Sequence, residues 1–496
     1  MALILLFTAI GFLLYAPILH NGFLSDDYDS LFRIYIQKRI VYREFLRPMI
    51  DFSFYFNYFI SGLSPLSYYI FNVGVHVINC LLLFRFASGY LMFPKIDQWL
   101  FAFITGFLFL IYPFHNESIV WLSGRLSSMA TLFALLSLIT AQEKTGTSAR
   151  ILSGIFYLLG LLCYESVILL PIIILLLNWL RSADLKKTFR AGLFWAGVAF
   201  VYLVVRYTLS GEITGGYGDR LTDTHYAQKI LNSGKVFGRL FLPGSENQKL
   251  LILLTALIFL ITLSTFRRIL KSANVEILRK KYIALLFMFS ISLLLAIAFG
   301  VSTRTSEGDR LLYFPSCFFC MLVAGAVLWI FPKSSYRIAI ISTVATYFIW
   351  FLEINNRQWV KASGAARAIL SCVKNNVHQK IILVNVPDEL EGAFVFRNGL
   401  KKALLVNHID TADVKIMNYL KRSDYLTTEK IISVQKRDST LLIYPYLCIL
   451  EHTNGTADLT NSQNNTQLTI PNQRNLIYYW NKEELVPLFE TVPNRK

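Results

Sequence analysis

The stretch that decides the fold opens the chain: "ALILLFTAIGFLLYAPI" (Ala2–Ile18), followed at once by "NGFLSDDYD" (Asn21–Asp29). An apolar run of nearly membrane-spanning length ends directly before adjacent carboxylates. The run has no basic n-region and no small-x-small cleavage site, and further spans follow it, so it reads as a retained first helix. Across the 496 residues, 55% are hydrophobic, 15% aromatic and only 16% charged, and the apolar residues come in blocks. This is the pattern of a polytopic membrane protein.

A span needs ~20 mostly apolar residues. On that measure eleven helices are expected, at 2–20, 66–86, 98–114, 119–141, 150–163, 165–180, 191–209, 248–266, 282–300, 311–331 and 336–353. Orientation follows from the cations. With a cytoplasmic N-terminus, the inside loops collect Arg85, Lys95, Lys144, Arg150, Arg181, Lys186, Lys187, Arg190, Arg267, Arg268, Lys271, Arg279, Lys280, Lys281, Lys333 and Arg337. The net charge of +17 is therefore largely a topology signal, and no nucleic-acid partner is expected. The same topology sends the Asp26-Asp27 loop and everything after Glu353 to the outer side.

Two outer loops are expected to carry interfacial helices. In 21–65, "DSLFRIYIQKRIVYREF" sets cations among aromatic and aliphatic residues, and in 210–247, "YAQKILNSGKVFGRLFLP" is too charged to span. The "GGYGD" of the second loop lacks the spacing and preceding strand of a phosphate-binding loop. Residues 354–496 read as a small mixed α/β soluble domain. "KIILVNVP", "KALLVN" and "TLLIYPYLCIL" are taken as its buried strands, and "HTNGTADLTNSQNNTQ" as a polar loop. Cys80, Cys163, Cys317 and Cys320 lie in or beside spans; the Cys317-x-x-Cys320 spacing matches a redox motif, but within an apolar helix it reads as small packing residues. Cys372 and Cys448 fall in the outer domain, where an oxidising compartment would let them pair.

Four outer-side stretches place ionisable groups at span ends: Asp26-Asp27, Arg47-Pro48, "YPFHNESIVWLSGR" (Tyr112–Arg125) and "SEGDRLLYFPS" (Ser306–Ser316). Charge at a membrane boundary is costly unless solvated, paired or functional. Chemically the set offers a carboxylate pair able to accept a proton and arginines able to hold a phosphate, with His115 and Glu117 nearby. Taken singly, each has a plain structural alternative: Asp27 as a helix cap, Arg310 as an interfacial anchor.

Together, "FLSDDYD", "LRPMIDFSFYFNYFISGLSPLSYYIFNVGVHVIN", "YPFHNESIVWLSGR" and "GDRLLYFPS" resemble, in order and spacing, the GT-C glycosyltransferases that use lipid-linked sugars. The likeness is strongest to the transmembrane and tetratricopeptide-repeat O-mannosyltransferases and their bacterial relatives. It covers about residues 1–330. It implies a GT-C-like membrane fold and transfer, on the outer face, from a polyprenyl-phosphate sugar to a hydroxyl of a protein, lipid or glycan acceptor, with inversion.

On this sequence the resemblance maps the catalytic base to Asp26 or Asp27, favouring Asp26, and the donor phosphate to Arg310 with Arg125. Arg47, His115, Glu117 and Tyr313 would line or brace the pocket. It implies no nucleotide or redox cofactor and leaves a divalent metal open. It also suggests a bacterial inner membrane with a periplasmic C-terminal domain. The sequence departs from the family where Arg125 is followed by Leu126-Ser127-Ser128 rather than a small residue and Asp, and where Tyr164-Glu165 replaces a Lys-Glu pair. No tetratricopeptide pattern occurs after the spans. A transporter or flippase of lipid-linked sugars is the main rival class. It calls for midplane ionisable groups and inverted repeats, neither of which the sequence displays. A non-enzymatic assembly or sensor protein is the third.

Overall fold

The computed structural model describes residues 1–487 apart from 43–44, 144–145, 183–184, 213–225, 272–275, 377–378, 421–433 and the short segments 438–439, 444–447, 454–455, 462–465, 472–474 and 481–483. The chain is a polytopic α-helical membrane protein with a strand-containing C-terminal part. Its described residues form two compact units, Met1–Leu19 with Ile40–Asn356, and His20–Arg39 with Arg357–Lys496.

In the first unit every one of the eleven expected segments coincides with a helix. Among the described residues seven helices are long and apolar enough to cross a bilayer alone, and Lys95–Leu110 passes with Pro113–Ile119, across a 53° bend, as an eighth. Ala2–Leu14 and Thr147–Leu161 are shorter apolar helices. A helix satisfies its backbone groups internally, which is why the apolar blocks take this form. Leu66–Gly89, Lys95–Leu110, Arg125–Glu143 and Tyr313–Ile330 pack around buried Leu83, Phe101, Phe109, Leu135 and Phe318. By contrast, no residue in the apolar window of Gln248–Arg268 is buried, so that surface faces lipid.

An additional helix, Pro48–Ser61, begins at Pro48, whose missing N–H costs nothing at a helix start. It buries Phe54 and Asn57 and exposes Phe52, Phe56 and Phe59. Tyr226–Arg239, the expected interfacial helix, is strongly two-faced. Its outer residues Tyr226 and Ile230 are exposed, yet Asn232, Val236 and Arg239 are buried against Gln248–Lys271 and Glu276–Phe299. On its inner face it is part of the packed unit.

The second unit joins residues 20–39 to the C-terminal part. The loop read as interfacial is here a short helix, Asp27–Leu31, running into one π-helical turn, Phe32–Ile36. Ser25, at φ 46°, receives a contact that only a glycine permits: a Cβ on Gly399, itself at φ +94°, would stand 2.4 Å from the Ser25 carbonyl oxygen. Ser25 N–H donates to Val395 O (2.9 Å), Tyr28 stacks on Phe396, and Tyr35 Oη lies 2.8 Å from His408 Nε2.

Lys380–Val384 is a strand as expected, paired in parallel with Asn475–Trp480 and Val414–Ile416, with Leu485–Pro487 antiparallel at the edge. "KALLVN" is not a strand. Leu400–Val406 is helical, in keeping with the helix preference of Leu, Lys and Ala after the left-handed Gly399. The presumed polar loop is also corrected. Thr456–Asn461 and Thr466–Pro471 are strands in a five-stranded antiparallel sheet with Val434–Arg437, Thr440–Ile443 and Cys448–Thr453. Their period-2 alternation, "TADLTN" and "TQLTIP", outweighs the polar composition. Cys372 is a free thiol, and the Cys448 side chain lies outside the described residues, as does the "GGYGD" segment.

Candidate functional site

The "HNESIVWLSGR" stretch folds as a broken helix end. The 3-10 turn Pro113–His115 leads into Asn116–Ile119, and a second turn, Leu122–Gly124, opens the helix Arg125–Glu143. Gly124 makes this possible, because a Cβ there would fall 1.7 Å from the Glu117 carbonyl oxygen. The stretch thus doubles back on itself and leaves Glu117 fully buried.

Glu117 faces Arg310. Its Oε2 accepts the Arg310 backbone N–H (2.9 Å) and its Oε1 accepts from the Arg310 guanidinium. Arg310 sits on the turn Asp309–Leu312, which starts after Gly308 in the left-handed region at φ +92°. Its neighbour Asp309 points the other way, into a two-pronged pair with Arg239 (2.8 and 2.6 Å), whose guanidinium lies 4.3 Å from the Phe114 ring. The "GDR" tripeptide therefore anchors itself with Asp309 and presents Arg310. The Arg310 side chain keeps 19% of its surface exposed and lines a cavity of about 400 Å³ with Tyr164, Asn232, Lys235, Glu307 and Gly308.

A second charged cluster stands beside Tyr164. Arg47 lies 4.8 Å over the Tyr164 ring and donates to Glu165 Oε2 (3.0 Å), and the fully buried Arg206 donates to Glu165 Oε1 and to Tyr202 Oη (2.7 Å). Two guanidinium groups thus share one carboxylate, leaving the cluster net positive. Burial raises the Glu165 pKa, but Arg47 and Arg206 outweigh it and hold the carboxyl below its ordinary value.

The remaining expected pocket residues separate into different roles. His115 Nε2 meets Ser316 Oγ (2.7 Å) and its ring packs 4.3 Å from that of Tyr313. Tyr313 Oη lies 2.7 Å from His76 Nδ1 and accepts from Asn79 Nδ2 (3.2 Å). Both residues are completely buried, so they brace the Arg310 turn from within the helix core. Arg125 is also fully buried. It donates to Asn57 Oδ1 (2.6 Å), Ser53 Oγ (3.3 Å), Leu122 O (3.1 Å) and Tyr68 O (3.3 Å), over the Phe54 ring, and it is absent from the lining of the Arg310 cavity. Its guanidinium is spent on fastening helix Pro48–Ser61.

Asp26 and Asp27 belong to the second unit. Asp27 is fully buried and its Oδ2 accepts the Leu24 N–H (3.0 Å), closing its own loop. Asp26, at the helix N-terminus, is part-exposed. Burial and the Asp27 carboxylate together push the Tyr28 phenol well above its ordinary pKa. Among the described residues no group of three or more His, Cys, Asp or Glu could hold a metal ion.

Tyr164, Glu165, Arg206 and Lys235 were not singled out from sequence as site residues. For Glu165 and Arg206 the advance signal is an isolated charge beside or within an apolar block, and for Tyr164-Glu165 the departure from the Lys-Glu pair.

No family model matches the sequence. The chain is similar to Protein O-mannosyl-transferase TMTC2 of Mus musculus, 36% identical over 93 residues, which is 19% of this chain and 10% of that protein. It is also similar to Protein O-mannosyl-transferase F38B6.6 of Caenorhabditis elegans, 30% over 93 residues (19% and 13%). A third relative is Protein O-mannosyl-transferase Tmtc1 of Drosophila melanogaster, 31% over 125 residues (25% and 14%). The matches span 10–14% of the length of these three relatives. The resemblance to O-mannosyltransferases read from the motifs is thus found by direct comparison. Among solved structures, ArnT from Cupriavidus metallidurans bound to undecaprenyl phosphate aligns with a TM-score of 0.49 and 13% identity, over 88% of this chain and 96% of that one.

Proposed function

We propose that this chain is a GT-C-type glycosyltransferase that moves a sugar from a polyprenyl-phosphate donor to a hydroxyl acceptor on the outer face of the membrane. The observation that carries the reading is Arg310, held by buried Glu117 yet open to a cavity at the end of a span, in a chain similar to named O-mannosyltransferases. Arginine there suits a leaving phosphate, because its planar fork matches phosphate oxygens and it stays charged at every relevant pH.

In this mechanism Asp26 takes the proton of the acceptor hydroxyl as the oxygen attacks the sugar C1. The bond from C1 to the donor phosphate breaks on the opposite side, and the configuration inverts. Arg310 stabilises the polyprenyl phosphate that leaves. Asp27, whose carboxylate already closes its loop, positions Asp26. His115 and Tyr313 keep the Arg310 turn in place. Arg47 contributes positive potential through its net-positive cluster with Glu165 and Arg206. The acceptor is a protein, lipid or glycan hydroxyl, and the setting is a bacterial inner membrane with residues 354–496 periplasmic.

The test is an assay of the purified chain with a panel of polyprenyl-phosphate sugars, scoring release of polyprenyl phosphate. Turnover with at least one donor, lost in Arg310→Ala and only partly restored in Arg310→Lys, is expected. Equal donor use by the wild type and Arg310→Ala would overturn the assignment.

A further inference from the structure

The cluster around Glu165 holds two guanidinium groups to one carboxylate, and its inner member is only half used. Helix Leu185–Ser210 exposes Val204, Val205 and Tyr207 and turns Tyr202 and Arg206, one helical turn apart, inward. The Arg206 side chain has no exposed surface. Its Nη1 donates to Glu165 Oε1 and Tyr202 Oη, whereas Nε and Nη2 are buried with no hydrogen-bond partner among the described residues. Those two N–H groups lie side by side and form the fork that holds a carboxylate. Arg239 offers the same pair to Asp309, at 2.8 and 2.6 Å. A buried fork left unpaired is costly and calls for an explanation.

The outer member, Arg47, stands at the start of helix Pro48–Ser61 and keeps 13% of its side chain exposed. The loop that carries Glu165 is clamped on both sides. Met49 N–H donates to Leu162 O (3.4 Å), and Tyr157 Oη donates to Ile168 O (2.9 Å). Glu165 therefore changes partners by turning its side chain, not by moving its backbone. With Arg47 as its only cation, losing Arg47 would strand a largely buried carboxylate, which is strongly unfavourable. Arg206 removes that obstacle, because a turn of the carboxyl group brings both oxygens onto the Nε and Nη2 fork.

We propose that Arg206 is a positioning residue of the transfer reaction, a reserve counter-charge that takes over Glu165 and so releases Arg47 toward the phosphate as its bond to C1 breaks. This rests on the reading above and adds to it the residue that makes Arg47 available. The donor is a phosphodiester with one negative charge. When the C1–O bond breaks, its electron pair stays on the phosphate oxygen, and the departing polyprenyl phosphate carries a second negative charge. Glu165 keeps Arg47 against one charge and yields it to two. An interaction made chiefly in the transition state raises kcat rather than lowering KM.

The experiment measures kcat and KM separately for the full-length purified chain in nanodiscs, using the polyprenyl-phosphate sugar that turns over in the donor panel and scoring polyprenyl phosphate release. Arg206→Gln leaves Arg47 as the only cation on Glu165, so kcat should fall about tenfold or more, equivalent to about 1.4 kcal/mol, with KM within about twofold. Adding Glu165→Gln unties Arg47 and should restore most of the lost kcat, whereas a residue that merely braces the helix would give losses that add. Arg206→Lys keeps the charge without the fork and should fall between. Combined with Glu165→Gln, it supplies the same comparison if Arg206→Gln does not accumulate. A kcat for Arg206→Gln within about twofold of wild type, a loss confined to KM, or losses that simply add in the double variant would each overturn the role of Arg206. Wild-type protein that turns over no donor would instead overturn the proposed function, and this inference with it.

Discussion

The Glu117–Arg310 pair allows a quantitative test. Glu117 has no exposed surface and makes two contacts to one residue, the Arg310 backbone N–H and its guanidinium. Glu117→Gln keeps the shape and one oxygen for the backbone bond but removes the charge. Losing a charge-assisted hydrogen bond costs about 1.5–3 kcal/mol, and the part-exposed guanidinium recovers some hydration, which puts the change near 1.5 kcal/mol. Arg310→Ala is more damaging to stability, because it leaves the buried carboxylate without a counter-charge; about 3 kcal/mol is the low end for such a loss. The double variant has neither charge to strand, and its cost should fall well short of the sum, giving a coupling of about 1.5–2.5 kcal/mol. Equilibrium unfolding of the four proteins in mixed micelles measures it. Additivity within about 0.5 kcal/mol would show that the pair is not a coupled unit and refute the argument.

Other outcomes follow from the same geometry. Gly124→Ala places a carbon on the Glu117 carbonyl, so it should destabilise the membrane unit by several kcal/mol or prevent its accumulation, while Gly74→Ala, where nothing lies within 4 Å, should be silent. Asp26→Asn should lower transfer by ~10² to 10⁴ with normal unfolding behaviour; Asp27→Asn should retain residual activity but lower the melting temperature, since Oδ2 holds Leu24. Finally, Glu165 has a depressed folded pKa, so its contribution is complete above the ordinary Glu range and is lost as pH falls through the folded value. The melting-temperature gap between wild type and Glu165→Gln should be constant near neutrality and shrink only in acid; a gap that widens in acid contradicts this pairing.

How far the sequence reached can be traced residue by residue. Helices were legible because a bilayer imposes one length and one composition; most apolar blocks met both, while Ala2–Leu14 and Thr147–Leu161 met the composition and fell short in length. The soluble strands were less so: "KALLVN" is short enough to suit either state, and "TADLTN" hides its alternation in polar residues. At the site, Glu117 and Arg310 could be picked out because each lies in a dense motif at a span end. Their pairing could not, since 193 positions separate them. Glu165 was marked only as a departure from the family. Its partners Arg47 and Arg206 stand 118 and 41 positions away, and only folding brings two guanidinium groups to one carboxylate. Arg125 shows the limit of local reading: the motif places it by the cavity, whereas in the structure its guanidinium bonds to Ser53, Asn57, Leu122 and Tyr68.

The lipid-facing helix Gln248–Lys271 has a consequence for how this protein can change over time. Where a side chain touches only acyl chains, neighbours impose little jigsaw, and leucine, isoleucine and phenylalanine are nearly interchangeable. What is constrained there is a sum of hydrophobicity, not an order. Substitutions should accumulate quickly along its outer surface, limited only by the exclusion of charge, while Thr255, against Gly238, stays fixed by fit. A mutational scan of this helix should read as a broad tolerance to apolar residues on its outer surface, broken where Thr255 and Phe259 meet helix Tyr226–Arg239.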